Sequence, residues 1–372
     1  MTRLLVVDDS ALIRRLLSDI FGSTGEFEVA TARGGREALQ MLTDFAPDVI
    51  TLDVHMHDMD GLTCLDRIMV LRPTPVVMVS SLTSEGAEET LEAMSLGAVD
   101  FVAKPRGALS LEIDAIADAL VDKVRAAAKA HVPRALRLRE RVRALHAGKQ
   151  ANPSAGAITR KVTGSRSVSP PVSTPSEHLS QAGVVLVGCS TGGPQALDVL
   201  LGDLAEAFPW PVVIAQHMPG SFTGPLARRL DRIGGLAVHE VTQTTPLAPG
   251  NAYIGKGDAD LILSRRGGKL VAMPAPSSAA YFWHPSVDRL VESAMRVVAP
   301  EKLIGVLMTG MGSDGASAMS TLHAMGGQTI AEAESTAVIW GMPGALVARS
   351  AASCVCPLDD IAAELSKRLL SA

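Results

Sequence analysis

Cysteine is scarce in this chain: Cys64, Cys189, Cys354 and Cys356 are the only four in 372 residues. Their spacing fits no zinc finger, and four in so long a chain make no disulfide scaffold, so they read as reduced thiols. Also missing is any apolar run near the ~18 residues of a membrane span. The start, Met1-Thr2-Arg3 leading into Leu4-Leu5-Val6-Val7-Asp8-Asp9, is too short and too quickly acidic for a signal peptide, so a cytoplasmic location without membrane insertion is expected. Nor is there a surplus of positive charge. Lys and Arg number 34 against 39 Asp and Glu, a net of −5, and no helix-turn-helix pattern is present, which argues against nucleic acid as a partner. What remains is 47% hydrophobic and 20% charged residues, suited to globular domains with real cores; at about 150 residues per domain, two or three are expected.

Positive charge gathers in one place. Between Lys129 and Arg166 stand ten Lys or Arg against the single acid Glu140. Residues 134–146 can wind as a basic helix, and the Pro, Ser and Gly that follow cannot bury enough to order themselves, so they read as a tether. The chain therefore divides into residues 1–127, a linker over 128–182, and residues 183–372.

In the first segment, strand-like runs at Leu4–Val7, Glu28–Thr31, Val49–Leu52, Val76–Val79 and Phe101–Ala103 alternate with helical patterns at 10–21, 35–44, 61–71, 85–96 and 109–127. Five βα units predict a doubly wound parallel sheet whose ligands sit at the carboxyl ends of the strands. The residues there are Asp8-Asp9, Asp53, Ser80 and Lys104. Clustered carboxylates repel unless a cation neutralises them, and Mg²⁺ suits one or two carboxylates plus a phosphate. A carboxylate can itself accept a phosphoryl group, with a lysine and a hydroxyl to meet the new charge.

The runs V-V-D-D-S, L-D-V-H-M-H-D-M-D-G, V-M-V-S-S and F-V-A-K-P resemble the response-regulator receiver domain. The resemblance implies Asp53 as phospho-acceptor, Asp8, Asp9 and Asp53 as the Mg²⁺ site, Ser80 as switch hydroxyl, Lys104 as phosphate contact and Phe101 as rotating aromatic. It also implies a cis bond at Lys104-Pro105 and a histidine kinase as phosphodonor. One departure stands out: where the family usually has proline after the methionine, Met56 is followed by His57. That change puts the phosphorylation lifetime in doubt, and His55 and His57 flank the acidic site.

The last segment turns on Val184 to Pro194, V-V-L-V-G-C-S-T-G-G-P. An apolar run of strand length ends at Gly188, and Gly192, Gly193 and Pro194 open a helix, so Ser190 sits on a strand-to-helix turn. The same residues fit G-x-S-x-G, whose glycines permit a sharp turn that lifts the serine hydroxyl within reach of a base. Equally, such a turn can cradle a phosphate or simply close a βα unit. Further strands are expected at Val212–Ala215, Ala237–Val241, Ala252–Ile254, Leu261–Leu263, Leu270–Ala272, Leu303–Thr309 and Thr329–Ala331. Helices are expected after Pro194, Ser221, Pro285, Asp314, Met342 and Leu358. Antiparallel pieces are expected within 250–273, around a parallel centre.

Two of those strand ends carry His217 and Asp314. A serine hydroxyl is a weak nucleophile unless a histidine takes its proton and an acid fixes that imidazole, and these are the three types present. His217 alone also reads as a plain loop residue, and Asp314 as the cap of a helix beginning at Gly315. Asp288 reads as structural, and Cys189 as a buried small residue on the other face of the strand. The order Ser190, His217, Asp314 differs from that of an α/β-hydrolase, so a different doubly wound hydrolase is indicated.

G-C-S-T-G-G-P, Q-H-M-P, Y-I-G-K-G-D, H-P-S-V-D, M-T-G-M-G-S-D-G-A and W-G-M-P-G-A resemble the catalytic domain of the CheB family of chemotaxis methylesterases. The resemblance implies a triad of Ser190, His217 and Asp314, with Thr191 and the Met311 backbone near the oxyanion. Cys189 and Trp340 depart from the family's usual alanine and phenylalanine without touching that triad. It further implies hydrolysis of glutamate γ-methyl esters, and deamidation of glutamines, on methyl-accepting chemoreceptors, with no cofactor for the esterase step. The fold class expected is thus α/β, two doubly wound mainly parallel-sheet domains, a flavodoxin-like receiver and a Rossmann-like three-layer hydrolase, joined by a flexible linker; a monomer is expected. The competing class keeps the receiver but makes the second half a nucleotide- or partner-binding module. The absence of a lysine after the glycine loop, and of an acidic ribose partner about 20 residues on, counts against it.

Overall fold

Short β-branched runs ending in polar residues become buried parallel strands, and the helical repeats between them become the crossovers. The structure is a computed structural model that describes residues 1–80, 84–104, 112–130 and 183–370. The linker's basic helix and tether from residue 131 on, the start of the helix expected at 109, and Pro105 lie outside the described residues.

The N-terminal elements are β1 (Thr2–Val7), α1 (Ala11–Ser23), β2 (Phe27–Ala32), α2 (Gly35–Asp44), β3 (Val49–Asp53), α3 (Gly61–Leu71), β4 (Val76–Ser80), α4 (Ser84–Ser95), β5 (Asp100–Ala103) and α5 (Glu112–Ala128). The five strands pair in parallel in the order β2-β1-β3-β4-β5. That order reverses between β1 and β3, and a crevice for ligands opens where it does. Local chemistry fixes the helix starts. Ser10 caps α1 by accepting from Ile13 N, and the Asp60 carboxylate caps α3 by accepting from Thr63 N at 2.9 Å.

The second sheet is built from β6 (Val184–Cys189), α6 (Gly193–Asp203), β7 (Val212–Gln216), α7 (Gly220–Ile233), β8 (Ala237–Val241), β9 (Thr245–Pro246), β10 (Asn251–Gly255), β11 (Asp260–Arg266), β12 (Lys269–Ala275), α8 (Val287–Met295), β13 (Leu303–Leu307), α9 (Ala316–Ala324), β14 (Gln328–Glu332), α10 (Met342–Ala348), β15 (Cys354–Cys356) and α11 (Leu358–Leu370). Seven strands pair in parallel in the order β15-β14-β13-β6-β7-β10-β8. The reversal here lies between β6 and β13, so Ser190, just after β6, and Asp314, in the loop after β13, flank the crevice.

One expectation needs correcting. The antiparallel part of residues 250–273 is only the β11–β12 hairpin, extended by the two-residue β9. Its turn, Gly267-Gly268, has φ of 54° and 77°, the left-handed pair that a two-residue hairpin turn demands. The run 251–255 instead lies parallel between β7 and β8. Gly250 does not close a hairpin: its N–H donates to Phe208 O at 3.0 Å, bringing the chain back to the start of the sheet.

The described residues on the two sides of the linker pack as one body. A single buried apolar cluster runs from Leu91, Met94 and Phe101 of the first sheet's layer into Phe222 and Leu226 of α7.

Candidate active site

The turn after β6 is built around glycines for steric reasons. Gly192 takes φ 77°, and a Cβ there would stand 2.7 Å from Val338 Cβ. A Cβ on Gly193 would stand 1.9 Å from Gln216 Oε1. Ser190 is pinned by its backbone, its N–H donating to Thr309 O at 2.9 Å and its carbonyl accepting from Gly193 N at 2.8 Å. The loop after β13 runs directly beside its side chain, because a Cβ on Gly310 would lie 2.8 Å from Ser190 Cβ.

His217 follows β7, and its N–H donates to Cys189 O at 3.1 Å. Gln216 locks the two strand ends together: its Nε2 donates to both Ser190 O and His217 O at 3.0 Å. The imidazole Nε2 lies 2.8 Å from Asp314 Oδ2. The other ring nitrogen, Nδ1, is buried and has no hydrogen-bond partner among the described residues. Above the ring stacks Trp283, with centroids 5.5 Å apart and planes 13° apart.

Asp314 does cap a helix, but not the one that follows it. Its Oδ2 accepts from Val287 N at 2.7 Å, and its Oδ1 accepts from Ser286 Oγ and Asp288 N at 3.1 Å each, the first turn of α8. The next helix, α9, follows Gly315, whose φ is 86° and which has no side chain to cap it. Burial pushes the Asp314 carboxyl up, but the His217 contact and the α8 N–H groups outweigh it and hold the group below the usual range. Asp288 is pushed up to about 6 by burial and by the Asp314 charge, and its Oδ1 accepts from Ala318 N at 2.8 Å. The Cys189 thiol is fully buried, held up by burial, and its Sγ donates to Gln216 Oε1 at 3.1 Å.

Thr191 and Met311 stand differently from one another. The Thr191 hydroxyl donates to Asp100 of β5, across the contact with the first sheet. Met311 lines a cleft of about 560 Å³ whose other wall is Asp122, Arg125, Ala126 and Lys129 of the N-terminal half. The Trp340 indole donates to Glu332 O at 3.1 Å.

At the first sheet's crevice, one carboxylate oxygen from each of Asp8, Asp9 and Asp53 lies within 4.8 Å of the others. Lys104 Nζ sits 3.1 Å from Asp8 Oδ2 and 2.8 Å from Asp53 Oδ2. Burial raises the Asp53 carboxyl despite Lys104, while Lys104, itself drawn down by burial, ends higher through Asp53 and Asp8. This all-oxygen donor set fits a hard divalent cation. His57 Nδ1 touches Asp9 Oδ2, and His55 Nε2 lies 3.0 Å from Glu89 Oε2. Ser80 is buried, its Oγ donating to Gly86 O at 3.2 Å. The Phe101 ring lies on Phe222 of α7, 4.3 Å between centroids.

Trp283 has no signal in the sequence, and Gln216 and Glu332 show there only as polar residues at strand ends, with nothing to relate them to Ser190. Glu332 ends β14 almost wholly buried, and its Oε2 accepts from Thr309 N at 2.8 Å, so it holds the residue that holds Ser190. Burial pushes its carboxyl up to about 7. Only an acid at a strand end of the second sheet hinted at it.

Residues 185–365 match the family described as CheB methylesterase, and residues 4–114 match the response regulator receiver domain. The protein-glutamate methylesterase/protein-glutamine glutaminase 2 of Rhodopseudomonas palustris is 52% identical over 363 residues, 98% of this chain and 97% of its own. The corresponding protein 3 of Rhodospirillum rubrum is 52% identical over 366 residues, 98% of this chain and 96% of its own. The crystal structure of the Thermotoga maritima CheB methylesterase catalytic domain is 36% identical, covering 50% of this chain and 98% of that one at a TM-score of 0.48.

Proposed function

The chain belongs to the CheB methylesterase family, receiver included, and on that premise we propose which of its residues carry the reaction. It is a receiver-controlled methylesterase of chemotaxis, hydrolysing glutamate γ-methyl esters and deamidating glutamines. The binding-module alternative is set aside, since relatives aligned along 98% of the chain are named for both reactions.

Ser190 is the nucleophile, and the base is the Nδ1 face of His217. Asp314 accepts from Nε2–H and so selects the tautomer whose lone pair is on Nδ1. As Ser190 Oγ adds to the glutamyl carbonyl carbon, its proton passes to Nδ1. The tetrahedral oxyanion then collapses, the methoxide leaves with the Nδ1 proton as methanol, and water repeats the sequence to free glutamate and Ser190. With a glutamine, ammonia leaves instead. Asp314 stays ionised throughout, because the α8 N–H groups and His217 already stabilise its charge. The backbone beside Thr191 and Met311 faces the oxyanion. What carries this assignment is the His217 ring, bonded to Asp314 through one nitrogen and keeping the other buried and free. Methanol release from methylated receptor membranes tests it: Ser190→Ala should lose on the order of 10⁴–10⁶ in rate. Release at the wild-type rate would overturn the assignment.

Control comes from the first sheet. Asp8, Asp9 and Asp53 would hold Mg²⁺, which offsets the charge of a phosphoryl group arriving on Asp53 from a histidine kinase; Lys104 contacts that group and Ser80 and Phe101 respond to it. In the unphosphorylated chain α4 and β5 lie on α6 and α7. Besides the Thr191–Asp100 and Phe101–Phe222 contacts, Gln195 Nε2 donates to Met94 O and, at 2.8 Å, to Ala98 O, and Arg229 donates to Leu91 O. Phosphorylation loosens this face and frees the Thr191 hydroxyl. We place the protein in the cytoplasm as a monomer acting on membrane-bound receptors; among the described residues no helix is long and apolar enough to cross a membrane.

A further inference from the structure

The chain has only 7 Phe, 3 Trp and 2 Tyr, yet Tyr281, Phe282 and Trp283 are consecutive and stand at the rim of the active site. Trp283 stacks on His217, and its Nε1 faces Gly312, 3.7 Å from where a Cβ on that glycine would be. It therefore walls the site between the imidazole and the loop that passes Ser190. Phe282 stands edge-on to Trp283, 4.7 Å between centroids at 82°, and is 84% exposed. A single exposed hydrophobic residue is ordinary; one fixed in place two rings away from a catalytic histidine is not.

The segment is held from both ends. Tyr281 N donates to Ser278 O at 2.9 Å, and its hydroxyl donates to Glu292 Oε2 at 2.7 Å. On the other side the fully buried Asp260 takes His284 Nδ1 and Ser286 N at 2.9 Å each, and Arg289 as well. Phe282 is thus presented outward on an ordered turn, so a partner that covers it loses little conformational entropy in doing so.

We propose that Phe282 is a docking anchor for the receptor substrate, its ring packing on an apolar side chain that shares a helix face with the target glutamate. This rests on the Ser190 reading above. The occupant follows from the proposed substrate, the helical cytoplasmic part of a chemoreceptor, and from the reach of the two rings. From His217 outward the two ring-to-ring steps are 5.5 and 4.7 Å, and an α-helix advances about 5.4 Å per turn. The Phe282 ring thus stands within about two helical turns of the imidazole, in reach of a neighbouring turn of a helix that delivers a glutamyl ester to Ser190. A short peptide without that helix has nothing to set there.

The test compares two substrates of identical chemistry, using the full chain with a small phosphodonor and Mg²⁺: methylated receptor membranes, and a short soluble peptide with one glutamyl γ-methyl ester. Truncating an aromatic anchor weakens an interface by on the order of tenfold, so Phe282→Ala should lower the ratio of kcat/KM for membranes over peptide about tenfold. The change should lie in KM for membranes, and Phe282→Trp should restore the ratio. A ratio within twofold of wild type overturns the proposal, and so does a parallel fall on both substrates, which would make Phe282 a support of Trp283. Sedimentation with receptor membranes reads binding without turnover: in a Ser190→Ala background, adding Phe282→Ala should weaken it about tenfold, and equal binding would overturn the anchor. Persistence of peptide hydrolysis in Ser190→Ala would instead defeat the Ser190 reading and leave the sedimentation result intact.

Discussion

The two sheets place their chemistry at the same topological point and fill it in opposite ways. At the crevice of the first sheet, Asp8, Asp9 and Asp53 converge with one balancing lysine, Lys104. At the crevice of the second, the Asp314 carboxylate is already met by two backbone N–H groups, a hydroxyl and an imidazole, and Asp288 beside it by the N–H of Ala318. A site short of positive charge waits for an ion and a phosphoryl group. A site whose charge is already met by fixed dipoles can move a proton without rearranging. The same fold thus makes a switch or a catalyst according to whether its strand-end acids are left unsatisfied.

The sharpest way to break that comparison is to take the satisfied charge away. Asp314→Asn keeps the size of the side chain but no longer dictates which imidazole nitrogen carries the proton. Esterase kcat should fall on the order of 10³–10⁴, because the tautomer with a free Nδ1 lone pair is no longer selected. Asp53→Asn, at the unsatisfied site, should remove only the stimulation by a phosphodonor. Equal losses from the two substitutions, measured as methanol release with and without phosphodonor, would mean that the sites are not specialised in this way.

Much of this was legible in the sequence because strand-end residues announce themselves: an apolar run stops and a polar residue follows. Asp8, Asp53, Ser190 and His217 are all found by that rule. What escaped were contacts between residues far apart in the chain. Asp314 looks like the cap of the helix next to it, yet its carboxylate reaches back to Ser286–Asp288. Trp283 in a loop carries no period that would relate it to His217. The strand at 251–255 resembles half of a hairpin because glycines flank it, and only pairing with β7 and β8 shows it to be parallel. The short edge strand Cys354–Cys356, with Val355 exposed, offers too few residues for any pattern.

Glu332 sharpens the comparison from the other side, as a buried acid of the second sheet that makes no ion pair among the described residues. Burial moves its carboxyl from 4.5 to about 7. Between those values the unfolded chain has lost the proton and the folded chain still holds it. Stability from this group is therefore complete below pH 4.5 and declines as pH rises toward 7, by about 3 kcal/mol in all. Glu332→Gln keeps an oxygen for Thr309 N and never ionises. Urea unfolding at pH 5 and pH 8 should show the variant gaining on wild type at the higher pH only. A constant difference between the two proteins at both values would show that Glu332 does not titrate in the fold.

The smallest effect tests how firmly the switch is tied to the catalyst. Gln195 sits in the first turn of α6, and its amide reaches Met94 O in the last turn of α4 and Ala98 O in the turn that follows it. Neither bond is internal to the second sheet's layer, so removing them should act on the contact between the halves rather than on the Ser190 turn. Hydrogen bonds of this kind contribute about 1 kcal/mol each, and water can replace the lost donor at a loosened interface. Gln195→Ala should therefore raise methanol release without phosphodonor about five- to tenfold while the rate with phosphodonor stays put, which divides the stimulation by the same factor. If the unstimulated rate does not move, the α4 contact is not what restrains the site, and the Thr191–Asp100 bond becomes the restraint to remove next, since it ties a residue adjoining Ser190 to the strand that carries Phe101.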